Sequence, residues 1–159
     1  MKPLFRGIAV AALQCLLVLS LAGKYAYDRA HLPRAWARVV PSEANLPIRG
    51  NYVPLNLEVD VPAGTKGGWL WATLSARGGR LFAEPVPYDS GLQITPLGDE
   101  RWGIAEPVEF FVPGNAGDPS RRPSDDPLWV EVSVPARGQP RPVRLAVKKN
   151  GVLTPLELR

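Results

Sequence analysis

The stretch Tyr52-Val53-Pro54-Leu55-Asn56-Leu57-Glu58-Val59-Asp60-Val61 decides how this chain reads. Val53, Leu55, Leu57, Val59 and Val61 alternate with Tyr52, Pro54, Asn56, Glu58 and Asp60, a period of two. Successive side chains of an extended chain point to opposite faces, so the segment has one apolar and one polar face, as a strand over a core does. Pro54 has no N–H to give to a ladder, which predicts an edge strand or an irregular start.

The same pattern recurs toward the C-terminus. Pro62-Ala63-Gly64 and Gly67-Gly68 read as a turn, and Trp69–Ser75 as the next strand, with Leu70, Ala72 and Leu74 opposite Trp69, Trp71 and Thr73. Gly78-Gly79 joins it in hairpin fashion to Arg80–Glu84. Short strands are expected around Gly91–Ile94 and Trp102–Ile104, and in the apolar run Val108–Val112. Leu128–Val134 and Val143–Lys149 alternate again, and Asn150-Gly151 predicts a tight hairpin to Val152–Leu158, because both residues tolerate positive φ. Pro41–Pro47 reads as a linker. The segment PGNAGDPSRRPSDDP, Pro113–Pro127, is the longest without a pattern. Its plain reading is a solvated loop, and its sharper one a partner-binding loop presenting Arg121, Arg122, Asp125 and Asp126. The fold class expected is all-β, a small sandwich or barrel of about seven to nine short strands.

Composition agrees. Among 159 residues, 18 prolines and 15 glycines disfavour long helices in the body, while five tryptophans and many aliphatic residues supply a core. The net charge of +4 is mild. Arg121-Arg122 and Lys148-Lys149 are not dense patches, and no nucleic-acid motif accompanies them, so no nucleic-acid partner is expected.

The N-terminus is different. Lys2 and Arg6 precede an uncharged run, Gly7–Gly23, interrupted only by Gln14 and Ser20. About 17 residues reach the lower limit for spanning a hydrocarbon core of about 30 Å. Lys24 can snorkel, and Tyr25 and Tyr27 stand where an aromatic belt would be. The run is longer than a usual signal-peptide core, which favours an uncleaved signal-anchor. Ser20-Leu21-Ala22 keeps a cleavable signal peptide open. Gln14 before Cys15 argues against lipidation, and with Cys15 as the single cysteine the folded part has no disulfide. Lys2 and Arg6 favour a cytoplasmic N-terminus, against the contrary charges Lys24, Arg29, Arg34 and Arg38. From Lys24 to Pro41 the chain reads as a continued or interfacial helix, with Leu32, Ala35, Trp36 and Val39 at helical spacing and a kink near His31–Pro33. The expected layout is therefore a transmembrane helix over 1–23, a juxtamembrane helix and linker over 24–47, and an extracytoplasmic β domain over 48–159.

The segment Arg49–Leu57 resembles the signature of the GDYXXLXY family, small bacterial membrane-anchored proteins of unknown function. Gly50, Tyr52 and Leu55 match. Asn51 stands where that family has Asp, and Leu57 where it has a second Tyr. Phe110-Phe111-Val112-Pro113 is similar to a later aromatic segment, and Gly151 to a Gly turn in a closing strand pair. The resemblance implies a membrane anchor, an extracytoplasmic β domain and work beside a polytopic membrane protein. It brings no catalytic residue.

Chemistry leaves little trace. His31 is the only histidine and adjoins the apolar run, which rules out a Ser-His-Asp triad or a histidine metal site in the β domain. Asp118, Asp125 and Asp126 lack the spacing of a calcium loop. A serine–lysine hydrolase built on Ser42 and Lys66 is the best enzymatic alternative, though Lys66 sits in a Gly-rich turn where a desolvated lysine is hard to keep. Glu106 and Glu109 as a glycosidase pair are a further one. The expectation is a non-catalytic accessory or protein-interaction module with no cofactor or metal. It would be held in the bacterial inner membrane by residues 7–23 with its β domain in the periplasm. A hydrolase or a small-ligand-binding barrel is the alternative.

Overall fold

A computed structural model describes residues 2–40, 52–98, 100–113, 126–149 and 151–156, with side chains from residue 7 onward. The chain forms two compact units, Met1–Leu32 and Pro33–Arg159.

The first unit is one helix, α1 (Lys2–His31). Its Gly7–His31 portion is long and apolar enough to cross a membrane. Exposed apolar side chains stand on every side of it, Leu13, Leu16, Leu17 and Val18 among them, so no face is reserved for water.

The second unit is a β domain with ten strands among the described residues: β1 (Arg34–Val40), β2 (Tyr52–Val59), β3 (Leu70–Arg77), β4 (Arg80–Val86), β5 (Leu92–Gly98), β6 (Arg101–Ile104), β7 (Val108–Phe111), β8 (Leu128–Ser133), β9 (Arg141–Lys149) and β10 (Val152–Pro155). Six of them, β1, β4, β3, β5, β6 and β2, close into a barrel. The seams at β1 are a parallel contact at Trp36↔Arg80 and an antiparallel one at Val39↔Leu57 and Val40↔Asn56. β8, β9 and β10 extend the sheet from β1, and β7 pairs with the first half of β2. The interior is filled by side chains, among them Leu55, Leu57, Leu81 and Ile94, all essentially buried.

The stretch that opened the sequence reading becomes β2, with Val53, Leu55, Leu57 and Val59 inward as the alternation requires. It has a single neighbour only at its start, where Tyr52–Leu55 pairs with β7 alone, and gains β1 and β6 from Asn56 onward. β6 and β7 pair with it, and β1 pairs at Asn56 and Leu57, beyond Pro54, so the missing N–H falls outside that ladder. The two predicted tight turns are present. Gly78 (φ 56°) and Gly79 (φ 76°) close β3–β4 across Arg77↔Arg80, and Gly151 (φ 82°) lies in the turn between Lys149 and Val152.

The helix expected from Lys24 to Pro41 continues as far as His31 and is corrected beyond the predicted break at His31–Pro33. Pro33 ends α1, because its ring disfavours a helical residue before it, and Arg34–Val40 is a strand. Ala35, Ala37 and Val39 are buried with period two. Ala35 and Val39 satisfy helical spacing as well, but burying Ala37 and pairing with β8 along five residues decides for the strand. The β domain therefore starts at Pro33, not at residue 48. The Pro41–Pro47 linker lies outside the described residues.

Gly91, at the entry to β5, packs directly on the backbone of β3. A Cβ there would stand 2.3 Å from the Ala72 carbonyl oxygen. Gly91→Ala is expected to destabilise the β domain by about 2 kcal/mol through this clash, read as an earlier denaturation midpoint.

Candidate interaction surface

Strands β4, β1, β8 and β9 lie side by side, and their outward residues form a ladder of cations and tryptophans. Trp36 on β1 stands opposite both Arg80 on β4 and Glu131 on β8, and Glu131 stands opposite Arg144 on β9. Glu131 is the hub. Its side chain is only 8% exposed, its Oε2 accepts a 2.7 Å hydrogen bond from Arg144 Nε, and Arg34 Nη1 lies 3.5 Å from the same oxygen. A carboxylate this deep is tolerated because two guanidinium groups replace its water. Arg144 also lies 5.5 Å from the Trp36 ring, and Trp129 on β8 has Arg80 at 5.3 Å and Lys148 at 5.0 Å. These contacts join cation–π attraction to the covering of apolar rings by long aliphatic stems. They explain why β8, which alternates in sequence, is buried on both faces.

Arg80 is fixed further by a two-pronged contact with Asp60, one arm at 2.8 Å. That hydrogen bond raises the guanidinium's pKa, partly opposed by its burial. Beside it in sequence, Glu58 keeps a buried Oε2 without a hydrogen-bond partner among the described residues, with Arg101 Nη1 4.0 Å away.

A second exposed feature lies where β7 pairs with β2. Tyr52 and Phe111 are directly opposite, half exposed, and meet edge to face with ring centroids 5.5 Å apart. In the stretch Gly50–Leu57, Leu55 and Leu57 are core and Tyr52 is surface, while Gly50 and Asn51 lie outside the described residues.

Other candidate residues scatter. His31 is on α1, stacked on Tyr27 with ring centroids 4.0 Å apart. Lys66 is exposed in its turn, and Ser42 lies outside the described residues. Glu106 accepts a 2.8 Å hydrogen bond from Gln139, and Glu109 is exposed on β7 opposite Pro54. Asp126 pairs with Lys149 at 3.1 Å, whereas Arg121, Arg122 and Asp125 lie outside the described residues. No group of three or more metal-binding side chains occurs among the described residues. A shallow cavity of about 470 Å³, lined by Thr73, Asp89, Ser90, Leu92 and Arg137 among others, opens beside β3.

The cation–tryptophan ladder was missed in the sequence because its members come from four strands. The alternation Arg34-Ala35-Trp36-Ala37-Arg38 is the local signal that would have pointed to it.

No family model, no curated protein and no solved structure matches this chain.

Proposed function

We propose that this protein is a membrane-anchored, non-catalytic accessory module in the bacterial inner membrane, with its β domain in the periplasm, acting beside another membrane protein. The observation that carries the reading is α1. A 25-residue span with apolar side chains on every side finds its stable environment in hydrocarbon. The resemblance of Gly50–Leu57 to the GDYXXLXY signature points the same way. The exposed Tyr52–Phe111 pair supports a contact surface, since aromatics exposed together on a sheet gain from being covered.

The alternatives draw less support. A serine–lysine hydrolase needs a desolvated lysine, and Lys66 is exposed. A ligand-binding barrel needs internal space, and Leu55, Leu57, Leu81 and Ile94 occupy it.

The test is photocrosslinking in intact membranes from a benzoylphenylalanine placed at Tyr52 or at Phe111, followed by mass spectrometry. The expected product is an adduct with an integral membrane protein, absent when the probe stands at the exposed Val152. Equal recovery from all three positions, or no adduct under several growth conditions, would sink the accessory role. For orientation, Ala136→Cys in a Cys15→Ser background is expected to react with an impermeant thiol reagent once the outer membrane is permeabilised. Reaction only after lysis would reverse the topology.

A further inference from the structure

Strand β3 loses one neighbour halfway along, where its pairing with β5 stops at Ala72↔Leu92. Gly78 and Gly79 make a two-residue turn with Arg77 opposite Arg80, so Arg77, Ser75 and Thr73 turn their N–H and C=O toward β4. Ala72 and Leu74 turn theirs the other way. β5 covers Ala72 on that side and does not reach Leu74. The Leu74 N–H and C=O have no backbone partner there among the described residues. Backbone groups left open in this way must be met by water or by a ligand.

The cavity of about 470 Å³ lies against this open edge. β3 contributes Leu74 to its wall, the segment entering β5 contributes Asp89, and the β8–β9 connection contributes Arg137. Asp89 and Arg137 are the only charged residues among the described ones that line it. Both are exposed, and neither side chain has an ion-pair or hydrogen-bond partner among the described residues, each other included. Asp89 stands in the left-handed region, with φ 61°. A glycine would hold that backbone with less strain, but without a carboxylate. The wall thus offers one anion, one cation and a free piece of strand edge.

We propose that this cavity binds a free dipeptide or tripeptide, laid along the edge of β3 at Leu74 with its carboxylate at Arg137 and its ammonium at Asp89. Separate opposite charges on one wall are complementary to a ligand that carries both. The guanidinium fork matches a carboxylate, and the Leu74 N–H and C=O are the pair of groups that an added strand engages. The cavity falls in the range of about 300–1,000 Å³ usual for small-ligand sites. The site belongs to the β domain alone and does not depend on the anchor.

The isotope-labelled full chain in detergent micelles is titrated with trialanine and followed by NMR. Saturable shifts are expected at the amides of Leu74, Gly91 and Gly138, which all line the cavity. Acetylating the peptide's amine or amidating its carboxylate should each weaken binding about fivefold, the ceiling for an exposed ion pair. Arg137→Gln should abolish the preference for a free carboxylate and keep that for a free amine. Asp89→Asn should do the reverse, and asparagine tolerates the left-handed backbone, so the turn is kept. Glycine, with both charges but no peptide group, should bind more weakly than trialanine. Shifts that never saturate, or that avoid these amides, overturn the site. Equal affinity for the free and the doubly blocked peptide overturns recognition of the charges, and glycine binding as tightly as trialanine overturns the peptide. Should a variant fail to fold, the blocked peptides on the wild-type chain decide the matter.

Discussion

Leu16→Arg together with Leu17→Arg is expected to release the protein from membranes. An arginine near the centre of a spanning helix costs about 2.5–3.5 kcal/mol on insertion scales, so the pair costs about 5–7 kcal/mol. Leu16 and Leu17 are 64% and 61% exposed on α1, midway along the apolar run, and face whatever surrounds the helix. That loss is comparable to everything the aliphatic residues of Gly7–Gly23 contribute. Wild-type protein should resist alkaline carbonate and carry α1 in its intact mass, whereas the double variant should wash off or fail to insert. Wild-type chain that stays dissolved without detergent, or whose mass shows removal of the segment up to Ala22, would defeat the anchor reading.

Leu57→Ala is expected to cost the β domain about 3 kcal/mol. Leu57 is 1% exposed and stands on β2 opposite Val39, at the seam where β1 and β2 close the barrel. Truncation removes buried methyl groups and leaves a cavity between elements distant in the chain, which relax poorly around it. Val152→Ala, at a site 66% exposed on β10, should stay within about 0.5 kcal/mol. Both are measured on the full chain in detergent micelles, by tryptophan fluorescence against denaturant. Equal midpoints for the two variants would mean that the seam carries no packing load.

Elements written locally were legible. β2, β8 and β9 each alternate, and Gly78-Gly79 and Gly151 occupy turns where positive φ excludes most side chains. α1 was legible as far as Gly23 because hydrophobicity needs no partner. Arg34–Val40 was not, since Ala35 and Val39 fit both periods and alanine by itself favours a helix. Only a β8 strand waiting alongside resolves it. The position of β2 was legible only for its first half, where β7 is its one neighbour. Pro54 says what one residue cannot donate, not how many neighbours the rest of the strand acquires.

The sequence by itself determined an apolar N-terminal helix followed by a β domain, and which face of most strands turns inward. Those properties rest on side-chain periodicity and backbone sterics, which act within a few residues. Tertiary structure alone decided that six strands close into a barrel. The closure rests on Trp36 meeting Arg80 and Val39 meeting Leu57, pairings between distant segments that leave no local trace. It also decided that Arg34, Glu131 and Arg144 share one site. Charges separated by about a hundred residues interact only once the chain has folded, because Coulomb attraction through water fades within about 10 Å.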